Sequence, residues 1–229
     1  MYKILHLLFL PLFIASCDGS ASTGDAAKFD SLAVDSNILV IGNMKFEISP
    51  SSKEEFEKYP SAECLDTNEA RRISKDSLRV KRIGDSLVFF SEQKKVVLKN
   101  DIDTNDETSG VVYHYLESDT KHGYWVAEAW YYESADVILI NHKNGDTVNV
   151  FPLYAFSPDG RYIFAGDNEM MGGYAQVLEL KSGHYQQIAE IELTWLPDEV
   201  KWVSDKTILI RTYSYRGEDD VKFLKLTLK

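Results

Sequence analysis

Few residues of this chain have the means to do chemistry, and their spacing is unhelpful to it. His114, His122, His142 and His184 are spread out and lack the spacing of a metal site, so they read as ordinary strand or loop residues. Asp101, Asp103, Asn105, Asp106 and Glu107 set oxygens at nearly alternate positions, as Ca²⁺ binding requires. But Asp106 stands where a calcium loop needs Gly, and Val112 where it needs Glu, so the segment reads as a solvated acidic loop. Glu117 and Glu128 offer two carboxylates for acid–base work, with nothing in the sequence to set their separation. GxSxG, GxxxxGK, HExxH and CxxC are all absent. No metal, cofactor or catalytic residue is therefore expected. What remains is aromatic: Tyr113, Tyr115, Tyr124, Trp125, Trp130, Tyr131 and Tyr132 crowd two strand-like runs, and exposed aromatics bind sugars, peptides and proteins well.

These residues must be positioned by strands. In YWVAEAWYYE, residues 124–133, alternation puts Trp125, Ala127, Ala129 and Tyr131 on one face. Tyr124, Val126, Glu128, Trp130 and Tyr132 fall on the other. Both faces are mostly apolar, which suits a strand covered on both sides. A carboxylate resists burial without a partner, so the Glu128 face should be the less buried one. Trp130 and Tyr132 are then the candidate binding surface, and Trp125 is core.

The rest of the chain fits a meander. Residues 37–48 read as two short strands around Gly42-Asn43. Ser52, three residues before Glu55, with Pro60 beyond, predicts a short helix near 52–59. Residues 61–76 favour no element. LRVKRI, SLVFF and KKVVLK between 78 and 99 are strand-like, the first two split by Gly84-Asp85. Beyond residue 110 almost everything is β-branched or aromatic and broken by turn residues, an antiparallel pattern. YAFSPDGRYIFAGD, residues 154–167, carries the clearest turn: Pro158 presets φ, Asp159 bonds nearby backbone, and Gly160 supplies a positive φ.

The turn and its flanks, followed by YAQVLELKSG and YQQIAEIEL, resemble a blade of the TolB-type and WD-repeat-like β-propellers. The resemblance is good over 154–191 and looser over 124–229. ADVILINHKNGD, residues 135–146, parallels YAQVLELKSG, and EVKWVSDKTILI, residues 199–210, parallels YAFSPDGRYIFA, a recurrence of roughly 40–45 residues. At that spacing 124–229 holds two to three blades, whereas propellers close with about four to eight. The helix signal and the acidic loop argue against a fourth blade from 37–123. The expected fold is mainly β and antiparallel, with propeller-like blades in a small or incomplete assembly. A β-sandwich or an open curved sheet is the alternative.

The first sixteen residues stand apart. Lys3 is followed by an apolar run from Ile4 to Ala15, too short to span a bilayer, which takes about 20 residues. Ile14-Ala15-Ser16-Cys17 closes it, and this resembles the lipobox of bacterial lipoproteins. The resemblance implies a signal peptide over 1–16, a diacylglycerol on the Cys17 sulfur, cleavage before Cys17 and acylation of the new amine. Residues 17–36 would be a small, polar, acidic tether, and 37–229 the β domain. With Cys17 acylated, Cys64 has no internal disulfide partner and reads as a small buried hydrophobe.

The chain carries 25 Lys+Arg against 36 Asp+Glu, a net −11, and losing Lys3 with the leader makes it −12. Such a surface repels phosphate backbones, so nucleic acid is excluded as a partner and the bilayer is reached through the lipid. The expectation is an exported lipoprotein of the cell envelope, in a leaflet the sequence does not assign. Its β domain would bind an unidentified protein or glycan without catalysis. The alternative is an envelope hydrolase whose site is assembled from distant residues.

Overall fold

A computed structural model describes residues 37–61, 66–102, 110–169, 172–214 and 217–229. The leader, Cys17, the tether, Cys64 and acidic positions 103–107 lie outside the described residues. β1 (Ile38–Ile41) and β2 (Met44–Pro50) turn at Gly42, whose φ is 60°. Ser52 caps α1 (Lys53–Phe56), its Oγ accepting the Glu55 N–H at 3.1 Å, as the Ser52–Glu55 spacing predicts. Asn68 caps α2 (Glu69–Lys75) in the same way, within the stretch where the sequence pattern favours no element.

β3 (Val80–Ile83), β4 (Ser86–Phe90) and β5 (Lys95–Lys99) form sheet I. β6 (Asp101–Ile102), β7 (Gly110–Asp119), β8 (Tyr124–Trp130), β9 (Ala135–Asn141) and β10 (Thr147–Val150) form sheet II. Sheet III is β11 (Leu153–Phe156), β12 (Tyr162–Glu169), β13 (Gly172–Lys181) and β14 (His184–Leu193). β15 (Leu196–Ser204), β16 (Thr207–Ser214) and β17 (Gly217–Leu228) begin sheet IV, which β2 and β1 complete in the order β1-β2-β17-β16-β15. Here Leu226 lies opposite Ile48 and Leu228 opposite Phe46. Every pairing among the described residues is antiparallel.

The fold is mainly β and propeller-like, with sheets stacked face to face in sequence order. Period-two alternation sets the stacking. From β8, Trp125, Ala127 and Ala129 point to sheet I and meet Val80, Leu87 and Phe89. Tyr124 and Val126 point the other way and meet Ile163, Ala165 and Leu178 of sheet III. From β12, Ile163 and Ala165 face sheet II while Phe164 faces Phe46, Trp202 and Ile210 of sheet IV. Sheets II and III are thus covered on both faces, which is why runs such as Val137–Ile140 are continuously apolar. Each large side chain so buried contributes about 1.5–3 kcal/mol.

Residues 80–99 supply the further sheet that the helix and acidic-loop signals argue against; both helices lie in the connection before it. No core cluster of described residues joins sheet I to sheet IV, so the assembly is incomplete. α1 covers the outer face of sheet IV instead: Phe56 packs on Phe223 at 5.3 Å, and the buried Lys201 ammonium donates to the carbonyls of Phe56 and Tyr59 at 3.3 and 2.9 Å. Among the described residues no helix is long and apolar enough to cross a membrane.

The β7 edge facing away from β8 is finished by side chains. Tyr113 donates its N–H to Asn100 Oδ1 at 2.9 Å, and its carbonyl accepts from Arg82 at 2.6 Å. Tyr115 donates its N–H to Glu69 at 2.7 Å, and its carbonyl accepts from Arg72 at 2.8 Å. Glu69 and Arg82 pair with each other at 2.6 Å. Donors and acceptors alternate as a neighbouring strand would present them, so the edge offers no template for association.

Candidate functional site

β8 ends in the aromatic residues that the sequence singles out. Trp125 is 1% exposed, whereas Trp130 is 52% and Tyr132 62% exposed. Glu128 is half-buried between them, so the face carrying it opens progressively towards the strand end. Trp130 pairs across the sheet with Val112 and Ala135, and its ring lies 4.7 Å from that of His114. The Tyr131 N–H bonds the Ser134 carbonyl at 2.9 Å, closing the β8–β9 turn and turning Tyr131 and Tyr132 outward.

This turn forms one wall of an open groove of about 490 Å³. Pro152 and Leu153, at the crossing from sheet II to sheet III, line it with Ala135. Asp167 and Asn168, near the end of β12, stand with Glu133 and Ser134 as its polar groups. Burial, then the Asp136 carboxylate and the Tyr113 phenol, raise the Tyr131 phenol above its ordinary value, keeping it a neutral hydrogen-bond donor. Aromatic faces beside carboxylate, amide and hydroxyl groups suit a hydroxylated or peptidic ligand without excess negative charge. Sequence reasoning misses Pro152, Leu153, Asp167 and Asn168, because they reach the groove only through the stacking of sheet III on sheet II. A close approach holds that corner: a Cβ on Gly173, which pairs with Asn168, would run into the Trp195 carbonyl.

Successive turns of a meander alternate ends, so the β9–β10, β11–β12 and β13–β14 turns gather at the opposite end. Two adjoining depressions lie there. One, of about 680 Å³, holds Asp146 between Lys94 at 3.0 Å and His184 at 2.5 Å. The other, of about 380 Å³, is lined by His122, Asp159, Gly160 and Tyr185. Gly160 has φ 68°, and Asp159 accepts the Arg161 N–H at 3.0 Å, the local bonding expected of the SPDG turn. His122 stacks on Phe156 at 4.0 Å and bonds Asp119 at 2.6 Å. Burial pushes the Asp119 carboxyl up, but hydrogen bonds from the His122 ring and backbone outweigh it and hold the group below the usual carboxylate range.

The four histidines are thus each engaged locally, His114 with Trp130, His122 with Asp119, His142 with Ser118 and His184 with Asp146. By register Glu117 and Glu128 lie one diagonal step apart on the same face of β7 and β8. A bulge between Tyr115 and Glu117 sets Glu117 opposite Val126, while Glu128 lies opposite His114. Ser118 Oγ is 3.3 Å from His142 Nε2. Burial lowers the His142 pKa against a raising hydrogen bond to the Tyr124 backbone, which favours the neutral ring. Neither residue lines the three depressions. Compared with known proteins, the chain matches no protein family and no curated sequence.

Proposed function

We propose that the chain is an exported bacterial lipoprotein of the cell envelope, anchored by acylated Cys17, whose β domain binds a protein or glycan without catalysis. The observation that carries the binding role is the groove lined by Trp130, Tyr131 and Tyr132, exposed aromatics set beside polar groups at one end of the stacked sheets. The apolar run ending in Ile14-Ala15-Ser16-Cys17 supports the anchor, and the polar tether that follows would let the domain move about its anchor. Cys17→Ala should abolish incorporation of labelled palmitate; undiminished label on that variant sinks the anchor. Capture from detergent-solubilised envelope by the wild-type chain, compared with Trp130→Ala, tests the groove. An identical set of captured molecules sinks it.

A second reading, an envelope hydrolase with a dispersed site, draws on the Ser118–His142 contact. A fluorophosphonate probe should label Ser118 if the pair works as nucleophile and base. Absence of label that Ser118→Ala removes would retire this reading.

A further inference from the structure

Sheet I has two unlike faces. One supplies Val80, Leu87 and Phe89 to the core. By register the other carries Lys81, Ile83, Ser86, Val88, Phe90, Lys95, Val97 and Lys99, with Val88 at its centre buried among these neighbours. Around Val88 the apolar rim is exposed, Ile83 at 57%, Val97 at 47% and Phe90 at 37%, and Leu78 in the turn before β3 is 92% exposed. The Lys81 ammonium sits 5.6 Å over the Phe90 ring. Among the described residues none of the three lysines has a carboxylate at ion-pair distance. The acidic groups of this sheet sit in its turns, Asp85 at one end and Glu92 at the other, the latter facing Arg79 at 3.9 Å. In a chain of net −11, these three cations leave 22 basic against 36 acidic side chains elsewhere. Charge is segregated, and this partly open apolar face is also basic.

We propose that this face docks on an anionic bilayer surface, with Ile83, Phe90 and Val97 at the boundary of headgroups and acyl chains and Lys81, Lys95 and Lys99 on lipid phosphates. The proposal deepens the anchored reading and rests on it for the proximity of a bilayer. Charge complementarity selects the partner: lysine stems lie along apolar surface while their heads reach phosphate. Size argues against a second copy of the chain. Three strands about 4.8 Å apart and about 17 Å long present roughly 250 Å², whereas a stable interface takes about 800 Å² from each partner. A bilayer needs no such area, because a tether of about 20 residues keeps the domain within roughly 25 Å of its anchor and makes docking intramolecular.

The test uses the full chain carrying Cys17→Ala, floated with vesicles of phosphatidylglycerol and phosphatidylethanolamine and, separately, of phosphatidylcholine. Flotation should favour the anionic vesicles and fall as salt is raised. Each lysine near an anionic surface is worth about a fivefold gain in partition, so Lys81→Glu/Lys95→Glu/Lys99→Glu should weaken the preference by about 100-fold or more. A charge-matched control, Lys58→Glu/Lys143→Glu/Lys206→Glu, should retain most of it. Equal flotation with both vesicle types, or an equal loss in the control, overturns the docking. So does a concentration-dependent dimer in sedimentation that Phe90→Ser dissolves without any change in flotation, since it would assign the face to a second copy. Acylation is judged separately by palmitate label on the wild-type chain, so either idea can fail alone.

Discussion

Trp125 and Trp130 lie five residues apart on one strand, and replacing each with Ala should give opposite results. Trp125 is 1% exposed, its ring 5.7 Å from Phe89 and 4.4 Å from His142, between sheets I and II. A buried Trp removes about 200 Å² from water. At about 25 cal/mol per Å² that is about 5 kcal/mol, an upper estimate because the unfolded chain is already partly compact. Trp125→Ala should therefore cost about 3–5 kcal/mol, a large share of the 5–15 kcal/mol that holds a typical domain. Trp130 is 52% exposed and has the His114 ring on one side, so half the area gives about 1.5–2.5 kcal/mol for Trp130→Ala. Urea unfolding followed by circular dichroism separates the two. With a slope of about 2 kcal/mol/M, Trp125→Ala should lower the midpoint by about 1.5–2.5 M and Trp130→Ala by about half as much. Equal shifts, or the reverse order, would refute the assignment of the β8 faces. A Trp130→Ala variant as stable as expected that keeps its captured partner would leave the faces intact and remove the groove from the binding role.

Gly42 and Gly160 both sit at positive φ, but a Cβ on Gly160 meets nothing within 4 Å whereas one on Gly42 strikes the Ile188 side chain. In thermal melts Gly160→Ala should cost about 1 kcal/mol and Gly42→Ala clearly more; equal costs would contradict the close approach of β1 to β14. Arg82→Met should cost about 3 kcal/mol, because it leaves Glu69 charged and the Tyr113 carbonyl unpaired, while Glu69→Gln should cost less; both are read from urea midpoints. His142 titrates below its ordinary value of 6.5 because it is buried, so below pH 6.5 the unfolded chain binds more protons than the folded one. Stability should fall as pH drops from 6.5, and His142→Gln should flatten that slope; an unchanged slope would place the proton elsewhere.

Local signals are legible wherever the interaction is local. The Ser52–Glu55 cap, the SPDG turn and the two-residue turn at Ser182 and Gly183 each place their hydrogen bonds or dihedrals within a few residues. The parallel between 135–146 and the YAQVLELKSG segment is real in space, because β9 and β13 are each the last strand but one of adjacent meanders. β15–β16 likewise repeat β11–β12. The pairing of β17 with β2 is not legible, since alternation in each strand states that it pairs but not with what. α2 escapes notice for a related reason. Its face is polar, and its value lies in Glu69 and Arg72 reaching a strand more than forty positions away. Half of the groove is legible because Trp130–Ala135 form one turn, whereas Pro152, Leu153, Asp167 and Asn168 are brought there from further along the chain.

Sheet IV, built from β1 and β2 at one end of the domain and β15–β17 at the other, governs the time course of folding. Ile48 and Leu226 are about 180 residues apart, and closing such a loop costs about 4–5 kcal/mol of chain entropy before any contact repays it. Sheets II and III can form from neighbouring hairpins as the chain emerges, but the face carrying Phe164, Ala175 and Val177 stays wet until β15 and β16 arrive, and sheet IV stays open until β17 joins β2. Until then the chain holds a finished apolar surface and an unclaimed β2 edge, the two features that drive aggregation of partly folded β proteins. A chain emerging end first therefore passes through its most adhesive state last, and its yield should depend on how quickly residues 217–228 are released to find β2.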